Sequence, residues 1–198
     1  MNIKRALEQR LGAVEGLRLN DIDVDPRRIR AILINEVVPD DPSQEFYGPD
    51  PAGYGAAAVT LFQKAGLEAA DMRDILQMGV YITNAVKTPK RGRAMEQARF
   101  EQSLPYLEAE LSLFPDARVI LLMGDVAKKA FNRIAKKAAG RNAVPAGSTY
   151  RLRKTEIYSG GVRVLPSYIM TGGNLLIEKS KVEMAAEDIA AMARIIRG

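Results

Sequence analysis

The run Val80-Tyr81-Ile82-Thr83-Asn84-Ala85-Val86-Lys87 is an apolar stretch interrupted by a polar Thr-Asn pair, and it leads into a basic segment, Lys87-Thr88-Pro89-Lys90-Arg91-Gly92-Arg93. A strand buried on both sides that carries an Asn at its exit presents an amide, which sets a carbonyl acceptor beside an NH2 donor. That pairing matches the edge of a flat heterocycle. Lys87, Lys90, Arg91 and Arg93 suit phosphate oxygens, contributing salt-sensitive affinity without sequence choice. Amide and cations together point to a base within a nucleic acid; a capped strand end and a solvated loop are the structural alternatives. A second loop, Glu36-Val37-Val38-Pro39-Asp40-Asp41-Pro42-Ser43, is rich in acid and proline and is expected to be exposed and stiff. Gly172-Gly173 supplies permissive backbone, suited either to a phosphate or to a tight turn before the last helix.

Composition narrows the chemistry further. The 198 residues are 47% hydrophobic and 27% charged, a balance that fits one domain over 1–198 with a well-filled core. There is no Cys, which removes disulfides, thiolate zinc sites, iron-sulfur clusters and Cys nucleophiles. There is no His either, so imidazole ligands, the usual general base and any Ser-His-Asp triad are excluded. No metal and no cofactor are expected. The net charge of +5 does not by itself single out an anionic partner. Without a signal-like start or an apolar run near the roughly 20 residues of a membrane span, the chain reads as cytoplasmic with no membrane partner. Its oligomeric state is left open.

The elements that must position these residues follow from periodicity. Ile3, Leu7, Leu11 and Val14 have helical spacing over residues 2–15. Arg30 to Asn35 reads as a buried parallel strand emptying into the acid loop, and a helix is expected from about Ala56 to Ala65, stopped by Gly66. The strand over 80–84 comes next. Phe100, Leu104, Leu107 and Leu111 then form one apolar helix face, with Pro105 expected to kink it. Arg118 to Met123 reads as a third strand, followed by a helix over Val126 to about Ala138 with Asp125 as N-cap; Lys128, Lys129, Arg133, Lys136 and Lys137 recur along it as an exposed face. Tyr150–Tyr158 and Val162–Leu165 suggest a hairpin around Ser159-Gly160-Gly161, and residues 175–196 a closing helix. Alternating strands and helices predict a three-layer α/β/α fold around a mostly parallel sheet of about four strands.

Taken in order, these segments resemble the uracil-DNA glycosylase superfamily, in particular its iron-sulfur branch. Tyr81-Ile82-Thr83-Asn84-Ala85-Val86-Lys87 is similar to that branch's "ITN-x-VK" strand, Leu104-Pro105-Tyr106-Leu107 to its "C-x-P-x-L" helix, and Pro115 through Ala127 to "P-k-v-i-v-x-L-G-x-x-A". The likeness covers roughly residues 30 to 195. Three departures stand out. Ser103 occupies the place of a cluster-ligating Cys. Asn35-Glu36-Val37-Val38-Pro39 answers to "G-E-A-P-G" with one residue more between Glu and Pro. Pro166-Ser167-Tyr168-Ile169-Met170-Thr171 answers to "P-x-Y-H-P-S", with Ile169 where that motif has His.

The resemblance implies N-glycosidic chemistry, in which positive charge develops on the sugar and negative charge on the departing base. Glu36, Asp40 and Asp41 can supply a carboxylate, Glu36 equally well as an acceptor for loop N–H groups. Asn84 would read the base, Phe46, Tyr47 or Tyr54 could stack on it after extrusion, and Ser167 and Ile169 would lie beside it. Ile169 has no donor for the departing base, so the hydroxyls of Ser167 and Thr171, or the backbone of Thr171-Gly172-Gly173, would have to take that part. Two readings follow: a DNA glycosylase acting on deaminated bases, or a noncatalytic relative that binds DNA, a free nucleobase or a nucleotide. A small-molecule hydrolase holding a divalent ion on the acid loop is a third.

Overall fold

The computed structural model describes residues 1–89, 97–169, 171 and 178–198. Its sheet has five strands, β1 (Ala31–Val37), β2 (Val80–Val86), β3 (Val119–Met123), β4 (Ile157–Ser159) and β5 (Val162–Ser167), in the order β2-β1-β3-β5-β4. The first four in that order run parallel, and β4 joins antiparallel through the hairpin at Gly160 and Gly161, whose φ values of +56° and +83° need glycine. The fifth strand, β4, is only the last part of the expected hairpin arm Tyr150–Tyr158; Thr149–Leu152 is instead a single helical turn, α6.

β3 is a continuous apolar run, and β1 and β2 are apolar runs broken only by Asn35-Glu36 and Thr83-Asn84 toward their carboxyl ends, because these strands are covered on both faces. Helix α1 (Ile3–Leu11), α4 (Gln97–Leu111) and α5 (Asp125–Ala139) lie on one side. Helix α2 (Tyr54–Lys64), the short α3 (Met72–Gln77) and the closing α7 (Lys179–Arg197) lie on the other. Helix α1 stops at Leu11 rather than continuing to 15, since Gly12 takes φ +84°, and Leu11 and Val14 are exposed. Helix α4 runs through Pro105, and its most buried residues are Phe100, Ser103, Tyr106, Leu107 and Glu110. The expected face is therefore rotated toward a serine and a glutamate.

That rotation brings Glu110 against the end of β2. Lys87, expected on a DNA backbone, is 1% exposed, and its ammonium pairs with Glu110, which is 0% exposed. Lys87 Nζ also donates to Thr83 Oγ1 at 2.6 Å, and Glu110 Oε1 accepts from the Tyr81 hydroxyl at 2.6 Å and from Thr83 at 3.0 Å. Asn20 Nδ2 donates to the Tyr81 oxygen at 2.6 Å, closing the network. Burial and then the Glu110 charge drive the Tyr81 phenol well above its ordinary pKa, so it stays a donor. The long, flexible stem of Lys87 lets its ammonium fold back four residues onto Thr83 instead of reaching solvent.

Removing one charge of this pair leaves the other buried and uncompensated, so Lys87→Met or Glu110→Gln is expected to cost about 3–5 kcal/mol, whereas Lys87→Met with Glu110→Leu recovers most of it. Urea unfolding of the three variants measures this, and equal losses in singles and double would contradict it.

Candidate functional site

In open α/β sheets the crevice forms at the carboxyl ends of the strands where the strand order reverses. Here that point lies between β1 and β3, because the chain places β2 on one side of β1 and β3 on the other. Three polar residues converge near it from β1, β2 and the segment after β5. Asn35 and Asn84 are direct partners in the β1–β2 register, and Asn35 Nδ2 donates to Asn84 Oδ1 at 3.0 Å. The same nitrogen lies 3.4 Å from Thr171 Oγ1. Asn35 is 0% exposed, Asn84 3% and Thr171 6%. Tyr54, the first residue of α2, shares a hydrogen bond with the Thr171 side chain; burial raises its phenol pKa, and the charges of Asp40 and Glu36 push the same way.

Glu36 follows Asn35 on β1 and therefore faces the opposite side of the sheet. Its Oε1 accepts from the Val126 N–H at 3.1 Å, capping α5. The expected N-cap, Asp125, is instead the first helical residue, paired with Lys128 at 2.8 Å, and Gly124 is the cap. Glycine is required there twice over. Its φ is +106°, and a Cβ would lie 2.3 Å from Glu36 Oε1. A carboxylate is thereby fixed at the switch point, on the other face from the amide pair.

The acid loop is held from a direction the sequence did not suggest. Arg18 donates to the backbone carbonyls of Pro39 and Asp40, the latter at 2.6 Å, and lies 3.6 Å from Glu45. Asp40 itself is exposed. Asp41 accepts from the Ser43 N–H at 2.9 Å, a bond that is the first cause of its lowered pKa, so it is a turn residue. Among the described residues no group of three acids is arranged to hold a metal ion.

Several expected contacts go elsewhere. Phe46 is 1% exposed and packs edge-on against Tyr54 at 5.5 Å in the core under α2, so it offers no face to a base. Tyr47 straddles the rim of the sheet. Its hydroxyl accepts from Ile82 N–H at 3.0 Å and donates to Ile82 C=O at 3.2 Å, and its ring stacks on Tyr81 at 6.2 Å. It seals the open edge of β2 instead of stacking on a ligand. Ser167 donates to Asp188 Oδ2 at 2.6 Å, in a buried cluster completed by Arg153 Nε at 3.0 Å from both carboxylate oxygens. Its hydroxyl is committed to α7. Ile169, two residues beyond β5, is half-buried. Lys90, Arg91, Arg93, Gly172 and Gly173 lie outside the described residues. On α5, Lys128, Arg133 and Lys137 pair with Asp125, Glu101 and Glu108, an exposed ionic face.

Comparison with protein families gives a match to the model described as Uracil DNA glycosylase superfamily over residues 31–180 of the 198. The chain belongs to the uracil DNA glycosylase superfamily. No curated protein matches it. Within the superfamily match fall all four parallel strands, the Asn35–Asn84 pair and Glu36 on its helix cap. Where the iron-sulfur branch pattern has a Cys, Ser103 accepts from Lys87 N–H at 2.9 Å and donates to Arg99 C=O at 2.8 Å. In this superfamily member a hydroxyl ties the exit of β2 to α4.

Gly124→Ala is expected to destabilise the fold by about 1–3 kcal/mol from backbone strain alone, plus the displacement of Glu36. In a Glu36→Ala background the steric part vanishes and the loss shrinks. A double-mutant cycle by chemical denaturation reads the coupling; strict additivity would mean that Glu36 does not occupy the space above Gly124.

Proposed function

We propose that the protein recognises a base in DNA, with Asn84 as its reader, and that a deaminated base is the target. The observation that carries this reading is the convergence of Asn84, its partner Asn35 and Thr171 at the carboxyl ends of β1 and β2, inside the segment matched by the superfamily. A buried amide whose orientation is fixed by a neighbour is pre-organised, so little ordering is needed when a ligand arrives. Glu36, on the opposite face at the end of β1, adds negative charge that is felt at Tyr54, the sign that stabilises a sugar becoming positive.

N-glycosidic hydrolysis is the activity this arrangement would support. Water would add to the anomeric carbon as the bond to the base breaks, the bonding pair leaving with the base and the proton of the water passing to solvent or to a carboxylate. Recognition without efficient turnover is favoured by one residue. Ile169 offers no donor for the departing negative charge, and Ser167, one of the candidate substitutes, already donates to Asp188. One missing donor of this kind lowers a rate by about 10²–10³.

Binding and cleavage assays on single- and double-stranded uracil-containing DNA separate these contributions. Expected are uracil-dependent binding that falls about 10-fold in Asn84→Ala, slow cleavage lost in Glu36→Gln with binding retained, and a faster rate in Ile169→His. Binding that ignores uracil would overturn base recognition; tight uracil binding with no cleavage in wild type or Ile169→His would leave the protein a binder.

A further inference from the structure

Asn35 has an unpaired hydrogen-bond acceptor in the cluster it forms with Asn84 and Thr171. Its side chain is 0% exposed, its Nδ2 is used by Asn84 and Thr171, and its Oδ1 is buried with no hydrogen-bond partner. Buried side-chain acceptors are nearly always paired, and an exception calls for an explanation. Three other described atoms share this status. Glu45 Oε1 faces the Arg18 guanidinium at 3.6 Å, while Thr88 Oγ1 and Arg163 Nη1 belong to residues outside the Asn35–Asn84–Thr171 cluster. Only the Asn35 oxygen belongs to a residue bonded to Asn84.

The direction of the Asn35–Asn84 bond decides what remains. Asn84 Oδ1 receives the Asn35 hydrogen, so the group Asn84 has left to offer is its Nδ2, which donates to no described atom. Asn35 has left its oxygen. The acceptor and donor that one amide would present are therefore divided between two residues on neighbouring strands, about 4.8 Å apart in the direction of pairing. The motif that Asn35 answers to has glycine at this position, which could contribute no side-chain acceptor.

We propose that Asn35 is a specificity-determining residue whose Oδ1 accepts the ring N–H of the bound base while Asn84 Nδ2 donates to the adjacent carbonyl. The ligand class is a lactam edge, an N–H beside a C=O, which uracil and the deaminated purines have in common. The assignment rests on the base-recognition reading above and adds the second residue that performs it. A site built to pair a ligand N–H rejects the analogue lacking it, because its own buried acceptor is then left unpaired.

The test compares oligonucleotides of one sequence carrying uracil, 3-methyluracil or cytosine at a single position, with binding followed by fluorescence anisotropy. Methylation at N3 removes the hydrogen assigned to Asn35 and keeps both carbonyls. Wild type is expected to prefer uracil over 3-methyluracil by about 10-fold or more. Asn35→Leu, similar in size without the acceptor, and Asn35→Gly, the motif residue, should each bring that ratio toward one. Circular dichroism establishes that they are folded. Folded variants that keep the wild-type ratio overturn the role of Asn35 and leave base recognition standing. Wild type that binds uracil better than cytosine yet tolerates 3-methyluracil equally well overturns it too, whether or not the variants fold. Wild type indifferent among all three overturns base recognition itself.

Discussion

A carboxylate with no access to water governs the middle of this molecule. Glu110 takes hydrogen bonds from Tyr81 and Thr83 and the charge of Lys87, three residues of one strand and its exit. Strand geometry sends alternate residues to opposite faces, so anchoring Tyr81 and Thr83 on the α4 side sends Ile82 and Asn84 to the other. A slip of one residue would bring Asn84 toward Glu110 and leave the ammonium of Lys87 without its partner. Apolar side chains alone would tolerate that slip more readily than a charge does. The register of β2 is thus specified by polar chemistry, and the position of the amide is its result.

Around that anchor the site is assembled from both faces of the sheet. Asn35 and Asn84 meet under α2 and α7, while Glu36, one residue further along β1, crosses to the α5 side and caps its N-terminus. The alternation of a single strand therefore separates the reader from the carboxylate and keeps both near the reversal of strand order. Gly124 makes this possible by giving up a side chain where Glu36 passes. Arg18, from the segment after α1, draws in the loop that follows.

The strands were legible because buried parallel strands are predominantly apolar runs, and the hairpin because two adjacent glycines can take positive φ. Helix α3 was not, since Met72–Gln77 is too short to display a period. At the site, Asn84 and Glu36 stood out by type and position. Lys87 misled because a cation after a strand looks solvated, and its partner lies on a helix 23 residues away. A signal did exist: Ser103, Leu107 and Glu110 share helical spacing, which puts a carboxylate on a face otherwise destined for the core. Tyr47 and Phe46 are adjacent in sequence, yet Phe46 is buried on one face while Tyr47 packs against both at the rim of the sheet, a distinction that depends on β2 being an edge strand. Sheet order is not written in local periodicity.

Ser103 has a bearing on how the molecule comes into being. A thiolate-ligated cluster at the junction of β2 and α4 would make folding wait on metal delivery and would expose the joint to oxidants. A hydroxyl shared between the Lys87 N–H and the Arg99 carbonyl forms whenever strand and helix meet. The joint can open and re-form from the polypeptide alone, with no iron to lose and no sulfur to damage, so its assembly is insensitive to the redox state of its surroundings.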